Sequence, residues 1–380
     1  MLRKIDRYLL KQYLQVFFIC YVSFTGLFIV IDAFGHLDHF VDHAQKSGEG
    51  LFQTLVGFYS YRSLMIFDML CGTLALVSAM FTVTWIQRHN EMTALLAAGV
   101  PRLRVLRPII LAALSVSVIA VAFRETVIPS IRHELAMDFR NLSGDQALPL
   151  QPRYDSQTDI RLGGEAVVVS THSIRNANFL LPQPLEKHGK QLAAAEAVYL
   201  PEEGQRPSGY LLKEVSSPAA LLQRPSLRLA NGDLAVVTPP DAPWLEADQV
   251  FVVSGVSFEL LTGGSSWKDH ASTAELVHEL ANPSVELGAG VRVALHQRLL
   301  NPFKDATLLF LGLPLVVSGA NRNPFIAIGM CVGVTTLFFL VTLGAQSLGA
   351  GGWIRPALAA WAPLLVFVPV AAALSDPLRR

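Results

Sequence analysis

Residues Gln12–Phe34 read QYLQVFFICYVSFTGLFIVIDAF, with Asp32 the one charged side chain in the stretch. A bilayer core of about 30 Å needs about 20 apolar residues of helix to cross it, so this segment predicts a membrane span. It is longer than the 7–15 apolar residues of a cleaved signal peptide, and no A-x-A site follows; it is read as retained. The same criterion picks out Ser63–Gln87, Val105–Phe123, Pro302–Gly319, Pro324–Ser347 and Ile354–Leu374, which makes six spans. Leu51–Tyr61 is read as an amphipathic lead-in to the second span, broken off at Arg62. Composition agrees: of 380 residues, 52% are apolar and 16% charged, with a mean hydropathy of +0.41, whereas soluble domains run at about a quarter charged. Thirty basic and thirty acidic side chains cancel, and a neutral chain has no field with which to seek phosphates, so nucleic acid is not the expected partner.

The polar insertion between the third and fourth spans has a different pattern. Glu165–Ser170, Gln191–Leu200, Gly209–Val215, Asp233–Val237, Gln249–Ser254 and Val256–Leu261 are short runs separated by Gly, Pro and Asn, as in a small antiparallel sandwich or barrel. In the last, Val256, Phe258 and Leu260 alternate with Ser257 and Glu259, the pattern of a half-buried strand. Ser272-Thr273-Ala274-Glu275 then fits a capping box opening a helix with Leu276, Val277 and Leu280 on one stripe. This helix and Val291–Leu300 lead back to the bilayer. The expected fold is therefore six transmembrane helices with an inserted all-β domain: residues 1–124, 125–300 and 301–380 in turn.

Lys and Arg concentrate in short cytoplasmic loops. Arg3, Lys4, Arg7 and Lys11 precede the first span, Arg88, Arg102, Arg104 and Arg107 join the second to the third, and Arg379 and Arg380 end the sequence. Gly35–Gly50 holds one Lys, Lys46, beside Asp38, Asp42 and Glu49. Both termini and the second-to-third connector are expected inside, and the β insertion outside.

Chemical motifs are sparse. There is no P-loop, and His133-Glu134 and His278-Glu279 lack the second His of H-E-x-x-H. There is no G-x-S-x-G elbow. Cys20, Cys71 and Cys331 each fall within a span and suggest neither disulfide nor metal. Asp32, Asp68, Arg124, Glu125, Arg298, Lys304 and Asp305 are expected near the outward side, none at a span centre, paired at the interface or rimming a cavity for a charged amphipathic ligand. Gly329 and Gly333 form a GxxxG step suited to close helix packing. The connector Arg88–Pro101, RHNEMTALLAAGVP, predicts a short helix over about 90–98: Asn90 at the N-cap, Glu91 at the positive dipole end, Gly99 a left-handed cap and Pro101 a stop. A connector so defined at both ends suits either a rigid joint or the seat of a cytoplasmic motor.

The sequence resembles the LptF/LptG permeases, the membrane subunits of the lipopolysaccharide exporter. Ile5-Asp6-Arg7-Tyr8-Leu9 is similar to the family's start, and Arg88-x-x-Glu91-x-x-Ala94-Leu95-x-Ala97-x-Gly99 to its coupling loop. Glu125-x-x-x-Pro129, Leu295-His296-x-Arg298 with Pro302, and Pro356 with Trp361 and Pro363 follow in order. Phe40-Val41-Asp42 and Gly48-Glu49-Gly50 lean toward the LptG side. The resemblance implies a periplasmic β-jellyroll and a pseudo-twofold pair with a sister permease over a homodimeric LptB-like ABC ATPase, which uses the ATP and Mg; this chain binds no cofactor of its own. It also implies an LptC-like single-span protein, an LptA-like periplasmic bridge and a place in the bacterial inner membrane. Arg88, Glu91, Ala94, Leu95 and Gly99 would meet the ATPase. Lipid would enter between the first and fifth spans, so Asp32, His36, His39, His43, Lys46, Phe325, Gly329 and Gly333 are the cavity and gate candidates. Asp68 stands near where many members have an apolar or proline residue. The rival readings are an envelope-sensing receptor or scaffold, a membrane enzyme, or a permease for another envelope glycolipid.

Overall fold

The computed structural model describes residues 2–48, 50–136, 148–204, 206–229, 232–263, 267–318 and 324–375. Glu49, Gly319, Arg379 and Arg380 lie outside the described residues, as do the side chains of Arg3, Phe325 and Cys331. In chain order the helices are α1 (Leu2–Gly35), α2 (Leu37–Ser47), α3 (Leu51–Arg88), α4 (Glu91–Ala97), α5 (Arg102–Ser130), α6 (Arg132–Ala136), α7 (Phe258–Gly263), α8 (Trp267–His270), α9 (Thr273–Ala281), α10 (Ala289–Ser318), α11 (Pro324–Ala350) and α12 (Pro356–Leu374). The strands are β1 (Leu148–Pro149), β2 (Arg153–Tyr154), β3 (Arg161–Leu162), β4 (Ala166–Val168), β5 (Ser173–Leu180), β6 (Gln191–Leu200), β7 (Gly209–Ser217), β8 (Leu227–Arg228), β9 (Leu234–Val237) and β10 (Val250–Val253). The chain forms two compact units, Met1–Leu135 with Gly288–Arg380, and Ala136–Leu287.

Among the described residues of the helical unit, six helices are long and apolar enough to cross a membrane: α1, α3, α5, α10, α11 and α12. Its core is built from Leu76, Met80, Val83 and Ile86 of α3, Leu106, Ile109 and Val116 of α5, and Leu309, Leu313 and Val316 of α10. In two helices, segments that the sequence reading kept apart are joined. The proposed break at Arg62 does not exist, because α3 runs unbroken from Leu51 to Arg88. Arg62 lays its guanidinium over the Phe58 ring, 4.4 Å from the centroid, and so covers apolar surface without interrupting the backbone. Likewise Val291–Leu300 and the fourth span are one helix, α10, which carries Pro302 and Pro314 inside it.

The second unit is one antiparallel sheet in the order β1-β4-β5-β6-β7-β10-β9-β8, curled into a half-barrel. The central pair β6 and β7 fall where the sequence placed them. By contrast β5, which pairs along its length with β6, was missed. Its Arg175, Asn176 and Asn178 read as loop, and Asn176 adopts a left-handed φ of 46° that interrupts the alternation. Val256–Leu261 is not a strand. The chain enters α7 at Phe258, and Phe258, Leu260 and Leu261 are all buried, which a two-residue period cannot achieve but one helix turn can. The capping box forms as expected: Glu275 N–H donates to Ser272 Oγ at 3.1 Å, and Ser272 N–H to Glu275 Oε2 at 2.8 Å. In the interior, Tyr210 donates to the Val256 carbonyl at 2.9 Å, and complete burial pushes its phenol well above the usual tyrosine range. Asp155 is equally buried, but accepts from Ser254 Oγ at 2.6 Å and from the amides of Gln157 and Thr158.

Candidate functional site

Three groups of residues in the helical unit carry polar chemistry. The first is the connector. α3 ends at Arg88, and α4 is closed by a Schellman arrangement: Gly99 N–H bonds to Leu96 O at 2.9 Å and Val100 N–H to Leu95 O at 3.1 Å. Gly99 has φ +78°, as that cap requires. The N-terminal reasoning needs correction. Asn90 is itself left-handed, at φ 58°, and its side chain makes no capping bond; its carbonyl accepts from Ala94 N–H at 3.0 Å.

The connector is fastened to the start of α1. Tyr8 Oη lies 3.2 Å from both carboxylate oxygens of Glu91, and Arg104 binds Asp6 at 2.7 Å. Beneath these bonds Met92 is buried in one apolar cluster with Leu9, Tyr13 and Leu106, against which Ile5, Leu95, Leu96 and Val100 pack. Arg88, Thr93, Ala94, Ala97, Ala98 and Gly99 remain exposed. α4 thus has an anchored heel and a bare face of small side chains. Of the expected contact residues, Arg88, Ala94 and Gly99 are on that face, Leu95 belongs to the heel, and Glu91 is engaged by Tyr8. The role of Tyr8 as Glu91's partner was not legible, since the two residues are separated by two spans.

The second group is at the other end of α1. Asp32 accepts from Tyr59 Oη at 2.7 Å, and His36 Nδ1 lies 3.6 Å from its Oδ1. His39, His43 and Lys46 follow at spacings of three and four along α2, so with His36 they form one stripe. α2 is held down by Phe40, fully buried against Phe58 and Tyr59 with ring centroids 5.2 and 5.9 Å away. Lys46 is paired with Asp42 at 2.7 Å. Gly329 and Gly333 on α11 face open space, for a Cβ built at either would meet nothing within 4 Å. Their GxxxG face therefore has no neighbour of its own among the described residues.

The third group gathers Asp68, Arg124, Lys304 and Asp305, four of the seven ionisable residues that the sequence placed near the outward side. Arg124 of α5 binds Asp68 of α3 through Nη2 at 2.7 Å and Nε at 2.9 Å, with both side chains less than a fifth exposed. Ser117 donates to Asp305 of α10, and Lys304 beside it is 8% exposed. These residues, with Asn301, Thr73 and Thr342, line a cavity of about 110 Å³. Gly72 has no side chain because a Cβ there would overlap the Asp305 carboxylate. Ser117, which Asp305 reaches, lies fifteen residues along α5 from Arg102. The charge of Asp68 is balanced by Arg124. Which of these charges pair was not legible, because Asp68, Arg124 and Asp305 come from different helices and periodicity within one helix is silent about pairing between them.

Among the described residues no His, Cys, Asp or Glu cluster could hold a metal ion. The model of the lipopolysaccharide export system permease LptF/LptG matches residues 7–155 and 210–376. The chain belongs to the LptF/LptG family. It is a permease of a lipopolysaccharide-export-type system, and permeases of this family are not themselves ATPases. With six apolar spans, it is a multi-pass protein of the inner membrane. The unmatched interval, 156–209, covers β3 to β6. No curated protein matches the chain.

Proposed function

We propose that this permease is one half of an ABC exporter that lifts lipopolysaccharide out of the inner membrane and passes it to a periplasmic bridge. An LptB-like ATPase dimer, using ATP and Mg, drives it from the cytoplasmic side, where both termini and α4 lie; the β unit is periplasmic. The observation that carries the reading is the connector: a bare, small-residue face on a heel fastened to α1. A motor seated on that face would push α1 directly through Tyr8–Glu91 and Asp6–Arg104, rather than through a loose loop. The sister permease is the expected cover for α1 and α11, the two spans with the smallest buried share. Substrate enters between them, with the His36–Lys46 stripe and Asp32 at the rim; an LptC-like helix would stand at such a gate.

The test is Glu91→Lys beside Ala94→Arg, assayed for ATPase copurification and for lipopolysaccharide release from proteoliposomes. Both should leave the permease folded in the membrane and lower ATP-driven release on the order of tenfold or more, because each puts an unmatched charge into the contact. Tyr8→Phe removes the internal bond alone and should keep the ATPase bound. Normal copurification and release by both charge variants would overturn the coupling assignment.

A further inference from the structure

One groove in the helical unit shares only Tyr8 with the connector. It lies between α1 and α3, has a volume of about 760 Å³ and is lined by Tyr8, Lys11, Gln12, Gln15, Val16, Phe18, Ile19, Phe81 and Trp85. That volume is within the range of about 300–1,000 Å³ that encloses a small ligand. Its chemistry is graded along its length. Tyr8, Lys11, Gln12 and Gln15 stand at one end, and Phe18, Ile19 and Phe81 at the other. From Tyr8 to Ile19 the helix rises about 16 Å, about half of a 30 Å hydrocarbon core. A membrane-crossing protein helix would need an apolar wall of the full thickness. A groove one leaflet long with a single polar end fits a phospholipid.

The polar end also selects a charge. Lys4, Arg7 and Lys11 recur at three and four residues, one exposed stripe of α1, and Arg88 ends α3 nearby in the chain from Trp85. The acidic side chains of the region, Asp6 and Glu91, are already engaged by Arg104 and Tyr8. Tyr8 and Trp85 are the amphipathic rings found at the level of lipid head-groups. Gln12 Oε1 is buried without a hydrogen-bond donor, and a head-group hydroxyl would supply one.

We infer that the α1–α3 groove is a binding site for an anionic phospholipid, its phosphate held by Lys11 and its acyl chain along Phe18, Ile19 and Phe81. Which leaflet supplies it follows from the orientation argued above; the head-group preference does not. A lipid seated there would brace α1 beside the Tyr8–Glu91 bond.

The experiment reconstitutes the permease, with the subunits that copurify with it, into vesicles of equimolar phosphatidylglycerol and phosphatidylethanolamine. Retained lipid is then counted by native mass spectrometry after mild extraction. The wild-type protein should retain phosphatidylglycerol preferentially. Lys11→Ala should lower that preference about fivefold, as expected for removing one cation at a membrane surface, while Ile19→Trp, which fills the apolar end, should lower retention of both lipids. Equal retention of the two lipids by the wild type overturns the site without reference to any variant. So does a cross-link from Trp85 to another subunit's helix, or an unchanged preference in Lys11→Ala. Failure of the ATPase to copurify would instead bear on the proposed function and leave this preference intact.

Discussion

In α1, 6% of the most apolar stretch is buried, while in α10 the share is 61%. Yet α10 is the less apolar of the two and carries Lys304, Asp305, Pro302 and Pro314. In water the order would be reversed. In a bilayer, lipid tails are as apolar as leucine, so an apolar helix gains nothing from burial as such. Charged side chains are expensive against lipid and are driven inward to find partners. The charged residues of α10 thus select it for the centre of the bundle, whereas α11, which carries no charged side chain, and α1 lie at the periphery, available to a second subunit.

Breaking the central pairing tests this contrast most severely. Arg124→Leu takes away the ion-pair partner of buried Asp68 and leaves it only the Arg298 charge, and should cost about 3 kcal/mol, the lower end for breaking a buried pair, read as a lowered thermal midpoint in detergent. Replacing both partners, Asp68→Leu with Arg124→Leu, should restore most of it; a double variant as unstable as the single would show that the pair has a further structural task. Gly72→Ala places a methyl group against the Asp305 carboxylate. An effect of about 1–3 kcal/mol is expected, the usual range for overpacking, and an unchanged midpoint would mean that α3 and α10 are less closely apposed. At the periphery, Ile31→Ala should shift the isolated permease's stability by no more than about 0.5 kcal/mol. Its effect should appear in pairing with the sister subunit, measured by copurification, and a large loss of the chain's own stability would mean that α1 is packed within it.

Much of the architecture was legible because its signals are local. Span length, the Gly99–Pro101 stop, the Ser272 capping box and the β6 and β7 runs each depend on residues within a few positions of one another. The misreadings came where neighbours in space outweighed neighbours in sequence. Arg62 did not end a helix because arginine is itself a good helix former, its guanidinium laid over Phe58, β5 was hidden because β6 supplies the hydrogen bonds that its polar composition does not advertise, and Phe258 turned helical where alternation suggested a strand. For the candidate site, Glu91 and the exposed Ala94 and Gly99 were picked out by sequence, but not the Tyr8 and Asp6–Arg104 fastenings beneath them.

The order of residues alone determined that this chain has six membrane-length apolar segments, an inserted β region and a short capped helix between spans two and three, since each follows from hydrogen bonds and apolar repeats along a single segment. Which spans lie inside, which charges meet, and which face of α4 is bare were decided only by the packed structure. Those depend on contacts between residues tens or hundreds of positions apart, and a side chain's place along its own helix does not specify the helix it will face.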